Sequence, residues 1–220
     1  MFRDYVRPNR KTDSSRDAGL TLVELIVSML IFSIFITILL SSILGVTRAS
    51  TQAQVIARAA SGTLSVFQNF DREIRYADSI NYPGSGATGA RYVEFRIPAA
   101  SSDTNAICRQ WRFDPSTGLL ESRQWFDVTP FSNPSWVTRL SVVFDDGGSN
   151  YPFAVSAAQR SGSAMQQLTL TLDAGNATQR GAAIASNFVA RNSSIASVSN
   201  DNVIYAGASG ARVCTAGART

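Results

Sequence analysis

One carboxylate in this chain stands where carboxylates are costly. Residues 19–46 read GLTLVELIVSMLIFSIFITILLSSILGV, an apolar run whose single charged side chain is Glu24. A carboxylate near the middle of a bilayer costs on the order of 2.5 to 3.5 kcal/mol on the mildest insertion scale, and less toward the interface, so a chain that keeps one there uses it. The other candidates for chemistry are weaker. The chain has no histidine, which removes the usual relay bases and the common zinc sets, and it carries no G-x-S-x-G or S-x-x-K nucleophile pattern. Gly84-Ser-Gly-Ala-Thr-Gly89 matches G-x-G-x-x-G, but that fingerprint has meaning only after a strand and at the start of a helix, and here the order is reversed, so it reads as a flexible loop. Asp145-Asp-Gly-Gly-Ser-Asn150 offers oxygen ligands without EF-hand spacing or a distal glutamate, so it reads as a turn. No catalytic residue, metal set or cofactor is expected, and the chain reads as a non-enzyme.

The elements that position Glu24 follow from composition. The apolar run exceeds the roughly 20 residues that a helix needs to cross a bilayer's hydrocarbon. Ahead of it lie five bases (Arg3, Arg7, Arg10, Lys11, Arg16) against three acids (Asp4, Asp13, Asp17), which by the positive-inside rule keeps that end cytoplasmic and exports the rest. A secretory signal would show a shorter apolar stretch followed by a small-residue cleavage site. Here the small residue, Gly19, comes first, so cutting at that point would leave the spanning helix on the mature protein.

Gly19-Leu20-Thr21-Leu22-Val23-Glu24 resembles the prepilin processing and methylation motif of type IV pilins and type II secretion pseudopilins. The resemblance implies that a prepilin peptidase cuts after Gly19 and that Leu20 becomes the N-methylated terminus. Leucine stands there where phenylalanine is commoner in the family. It assigns Thr21 and Glu24 to assembly, with the Glu24 carboxylate meeting the terminal amine of a neighbouring subunit. Pairing two charges that are each costly in hydrocarbon removes much of that cost and sets the register between subunits. The resemblance also implies an assembly platform protein, an ATPase and other pilin or pseudopilin subunits as partners. It places the chain first as a single-pass inner-membrane protein, then in an extracellular or periplasmic filament. FQNFDREIRYADSI resembles the post-membrane helix of the larger minor pilins and of the J-type pseudopilin, and the FVARN ending at Asn192 resembles the F-x-x-R-N finish of many minor pilins. Ser41 stands where many major pilins carry a helix-kinking proline, which favours a minor subunit.

The remainder predicts an α+β, pilin-like fold: a long N-terminal helix packed on an antiparallel β-sheet head. The expected parts are a leader over 1–19, a membrane and filament-core helix over 20–46, its continuation into the head over 47–82, a sheet over 83–194, and an Ala/Ser/Gly-rich extension over 195–220. Ile56, Ala59, Ala60, Leu64, Phe67, Phe70, Ile74 and Ala77 recur at three- and four-residue spacing, one apolar stripe of a helix that would reach about 85 Å from Leu20 to Ala77. Gly62 weakens that stretch by about 1 kcal/mol relative to alanine, and Pro83-Gly84 ends it. Strands are expected at 91–98, 139–144, 151–155 and 167–172, with a last short one at 188–190. ICRQWRFDPSTGLLESRQWF reads as a hairpin around Asp114 to Gly118.

About 170 residues beyond the membrane suffice for one domain. The net charge of +4, falling to about +2 without the leader, argues for no nucleic-acid partner by itself. Cys108 and Cys214 either pair, as exported cysteines commonly do, or stand as free thiols; a bridge over so long a loop is worth roughly 4 to 5 kcal/mol in the chain-entropy picture. Trp111, Trp125, Trp136, Phe126 and Phe131 either fill a core or form an exposed patch. Two further readings stay open: a DNA-uptake or adhesive pilin, marked by clustered arginines or exposed aromatics, and a signal-anchored envelope enzyme with convergent acids in a pocket.

Overall fold

A computed structural model describes residues 21–100, 104–130, 132–176, 179–200, 213, 214 and 219. The expected cleavage and methylation residues Gly19 and Leu20, and Phe131, lie outside them. The chain divides into two compact units, Met1–Ala49 and Ser50–Thr220. The helix α1 is Leu22–Ile74, and the antiparallel strands that follow give the α+β class that the periodicity implied.

In the second unit the chain forms two sheets where one was expected. The first has the order β1–β3–β4–β5–β6, with β2 also on β3: β1 is Ser79–Ile80, β2 Gly84–Ser85, β3 Arg91–Ile97, β4 Ile107–Asp114, β5 Leu119–Phe126 and β6 Val137–Leu140. The second is β7–β8–β9, with β7 Phe153–Ser156, β8 Gln167–Gly175 and β9 Arg180–Val189. Both sheets feed one core around Phe70, which is fully buried and lies 4.2 Å from the Trp111 ring, 5.8 Å from Phe188 and 6.4 Å from Phe153, centre to centre.

The buried stripe keeps Ala59, Phe67, Phe70, Ile74 and Ala77 of the expected one and departs from it at Ile56 and Leu64. Ala59, Thr63, Val66, Phe67, Phe70, Glu73 and Ile74 are buried, whereas Ile56 and Leu64 are 40% and 53% exposed. Gly62 has a reason to be small, because a Cβ there would lie 2.9 Å from Leu140 Cδ1 on β6. The helix stops at Ile74, before the expected Ala77, because strand pairing captures the chain: Asp78 N donates to Arg96 O at 2.9 Å and β1 begins on β3. The two carbonyls that follow the helix are satisfied by residues distant in sequence: Arg191 N donates to Arg75 O and the Asn192 side-chain amide to Tyr76 O, so the FVARN segment holds the turn that leaves the helix.

Three further expectations are corrected. Gly84 to Gly89 is no flexible loop; Gly84 and Ser85 pair with Tyr92 and Arg91, and Gly89 takes a left-handed φ of 81°. The strand expected over 139–144 stops at Leu140 because Val142 adopts φ 58°, which lets Val143 leave β6 and bridge Ala174 of β8. A β-branched residue in that region costs of order 1 to 3 kcal/mol, held here by Val143 N donating to Gly118 O and Gly175 N to Val142 O. The last strand runs ten residues where three were expected, since full pairing with β8 overrides the weak strand preference of Gly181, Ala182, Ala183 and Ala185.

Glycine 86 and the chain's end explain why β3 buries both of its faces. Along β3, Val93 and Phe95 share a face with Trp111 and Phe113, while Glu94 faces the other way and is also fully buried. Arg219 covers that second face: Nε donates to Glu94 Oε1 at 2.9 Å and Nη2 to Glu94 Oε2 at 2.6 Å and to Tyr82 O at 2.7 Å. Asn81 and Gln110 each donate to Glu94 at 3.0 Å. Cys214 joins Cys108 on β4. The Arg219 backbone passes so close to Gly86 that a Cβ there would lie 2.2 Å from its carbonyl oxygen. Cys214 and Arg219 are thus fastened to the first sheet, at β4 and β3.

Removing one partner of a buried pair strands the other charge. Arg219→Ala is therefore expected to lower the unfolding free energy by about 3 to 5 kcal/mol in denaturant titration, while Arg160→Ala, at an exposed position, changes it by less than about 0.5 kcal/mol.

Candidate functional site

The residues that sequence reasoning assigned to assembly sit at the start of α1. Thr21 is the N-cap: its carbonyl accepts from Leu25 N at 3.1 Å and its hydroxyl oxygen accepts from Glu24 N at 3.2 Å. This satisfies one of the donors that a helix start leaves unpaired. Glu24 falls three residues into the helix, in its first turn, where the macrodipole favours a negative charge by about 0.3 to 1 kcal/mol. Its side chain is exposed, and among the described residues no cation pairs with it. The role of Thr21 as a cap was legible in the T-x-x-E spacing, a capping-box signature that the motif reading passed over.

From Leu22 onward the helix of the first unit presents apolar side chains to its surroundings on every side. Leu22 is 76% exposed, Phe32 65% and Val46 71%, and the segment is long and apolar enough to cross a membrane. Its polar side chains are turned to the helix itself. Ser33 donates to Leu30 O, Thr37 to Ser33 O, Ser41 to Thr37 O, Ser42 to Ile38 O and Thr47 to Ile43 O, all between 2.8 and 2.9 Å. A hydroxyl bonded to its own backbone can enter hydrocarbon without the penalty of an unmade bond. Glu24 is the one acidic or basic side chain of residues 22–46, and among the described residues it has no partner.

Two clefts of the head bear on the sequence-predicted residues. One, of about 240 Å³, is lined by Ile107, Trp125, Phe126 and Val128. The aromatic residues divide accordingly: Trp111 and Trp125 are buried, Phe126 is 58% exposed, and Trp136 is half-buried with Arg112 and Arg123 over its ring at 4.2 and 4.3 Å. The other, of about 520 Å³, gathers Arg72, Glu73, Arg109 and Arg139 from α1, β4 and β6. Residues so far apart in sequence leave no linear trace. The Asp145 loop is already occupied by the protein: Arg91 grips its carboxylate through both terminal nitrogens, at 2.5 and 2.9 Å, and holds it below the usual carboxylate range. Among the described residues no cluster of acids or cysteines is arranged to hold a metal ion.

Glu73 is the one carboxylate of the larger cleft. Burial pushes its carboxyl above the ordinary 4.5, against the pull of Arg109, 3.2 Å away, and of the Trp111 indole N–H at 3.3 Å. An acid with a raised folded-state value contributes stability that is complete below its unfolded value and lost as pH rises through the folded one. The stability advantage of the native chain over Glu73→Gln is accordingly expected to grow as pH is lowered from 7 toward 4.5, measured by denaturant unfolding at each pH. A shrinking advantage would contradict this.

With this geometry in place, comparison with known proteins gives one finding. Residues 14–40 match the prokaryotic N-terminal methylation motif, a span that includes Thr21, Glu24 and the apolar helix as far as Leu40. The match supports a type IV pilin-like protein, a kind that is structural rather than enzymatic, and a candidate membrane anchor in its helix. No curated protein and no solved structure matches the chain.

Proposed function

We infer that the chain is a minor pilin or pseudopilin, a structural subunit of a type IV pilus or type II secretion-like filament. In this reading a prepilin peptidase cuts after Gly19, Leu20 is N-methylated, and the mature protein waits in the inner membrane with its head exported. A platform protein and an ATPase then lift it into a filament. The observation that carries the reading is a Glu24 with no partner among the described residues, on an uncovered apolar helix and within a segment that matches the methylation motif.

The physical logic runs from desolvation. A helix with apolar side chains on every face is stable in lipid or in a bundle of like helices, and in water it is not. On leaving the bilayer it must exchange lipid contacts for contacts with copies of itself. Within such a bundle an unpartnered carboxylate is costly, whereas one that meets the terminal amine of the adjacent subunit at a set height along the helix fixes the stagger between subunits. The hydroxyls of Ser33, Thr37 and Ser41, bonded to their own backbone, do not compete for that pairing.

The preference for a minor over a major subunit is supported by the unbroken helix at Ser41 and by the length of the head. Nothing in the cleft residues favours an envelope enzyme over a filament subunit, because the one acid there is tied to Arg109 and Trp111.

Glu24→Ala is expected to abolish recovery of the subunit in sheared filaments while its amount in the membrane stays within about twofold of the native chain, both read by immunoblot of the two fractions. Normal recovery of the variant in filaments would overturn the assignment of Glu24.

A further inference from the structure

The cleft beside Glu73 holds more positive charge than the protein neutralises. Arg72 on α1, Arg109 on β4 and Arg139 on β6 converge there with a single carboxylate. Both oxygens of Glu73 are engaged, Oε1 by Arg109 and Oε2 by the Trp111 indole N–H. Among the described residues neither Arg72 nor Arg139 has a carboxylate partner; Arg72 reaches only the Asn69 amide oxygen at 3.1 Å, and Arg139 Nε donates to the Ser122 hydroxyl at 2.7 Å. The Nε of Arg109 is buried with no hydrogen-bond partner among the described residues. An unsatisfied buried donor on a cation is a cost that natural folds rarely leave uncompensated. The three cations also repel one another, and Arg72 and Arg139 both disfavour the charge on Arg109, whose basicity burial already lowers.

Guanidinium groups are planar forks matched to groups with two or more charged oxygens. The Ser122 hydroxyl accepts from Arg139, so its own proton is directed elsewhere and can be given to such a group. The cleft's volume of about 520 Å³ lies within the range of small-ligand sites. We propose that this cleft is an oxyanion-binding site, taking a carboxylate or phosphate group between Arg72, Arg109 and Arg139. The site is independent of the filament reading, since all of its residues belong to the head. It is also compact. Of the four arginines that line it, Arg123 already donates Nε to Gln110 and Nη1 to Asn133, and the other three suit a single oxyanion group more than the extended backbone of a polyanion, which needs charge along a track.

The test uses the full chain in non-ionic detergent, titrated with inorganic phosphate, malonate or chloride at matched ionic strength and followed by calorimetry. Saturable heat with phosphate, malonate or both, and none with chloride, is expected; which of the two binds identifies the source of the oxyanion. Arg139→Gln is expected to weaken that binding at least about tenfold, and Arg160→Gln to leave it unchanged. If Arg139→Gln does not fold, judged by near-ultraviolet circular dichroism, Arg72→Gln carries the test, because Arg72 is exposed and its one hydrogen bond is to Asn69. Equal responses to all three anions, or binding indifferent to the arginine substitutions, would overturn the proposal. Retention of duplex DNA without saturation by phosphate or malonate would overturn it too, and would make the surface a polyanion track.

Discussion

Apolar side chains that their own chain does not cover must be covered by something else, and residues 22–46 leave nearly all of theirs uncovered. That constraint organises the first unit. Its backbone is satisfied within the helix, its hydroxyls bond to carbonyls a turn earlier, and Thr21 caps the start. What is left over is one carboxylate at a fixed height. A surface with a single unanswered charge has a preferred partner and a preferred register, which is what a repeating assembly of identical helices needs. The methylation-motif match and the exposed apolar helix fall on the same stretch of chain and agree with each other.

The head meets a different demand, that of keeping a core together while its strands belong to two sheets. Phe70 stands at the centre, with Trp111 on one side and Phe188 and Phe153 on the other. Val143 carries the chain from the first sheet to the second at the expense of a left-handed backbone. On the second face of the first sheet lie Cys214, bonded to Cys108, and Arg219. There the buried Glu94 is answered by Asn81, Gln110 and Arg219, so that no charge in that layer is left alone. Buried pairs of this kind are weak evidence for added stability, but breaking one is costly, which ties Arg219 to the integrity of the head.

How much of this was legible in the residues depended on how local the cause was. The long helix, the hairpin around Gly118 and the strand at 167–172 follow from period and turn chemistry, and the structure forms each of them. Local cues erred where tertiary pairing decides. Ala77 looks helical by spacing but is taken by the approach to β1, Leu64 looks like core but is exposed, and the alanine-rich β9 looks like loop but is fully paired with β8. The burial of Arg219, the Glu94 network and the convergence of Arg72, Arg109 and Arg139 join residues tens of positions apart, and no window along the chain contains both halves of such a contact. The functional segment was legible because its signal is contiguous: one acid, one apolar run and one glycine within a short stretch.

The account depends on the mature chain beginning at the residue whose amine answers a neighbour's Glu24. Intact-mass analysis of subunits from sheared filaments tests that most directly. The expected mass is that of residues 20–220 with one added methyl group, and the expected terminal residue is N-methyl-Leu20. Filament subunits that retain Met1, in cells with an active prepilin peptidase, would contradict it.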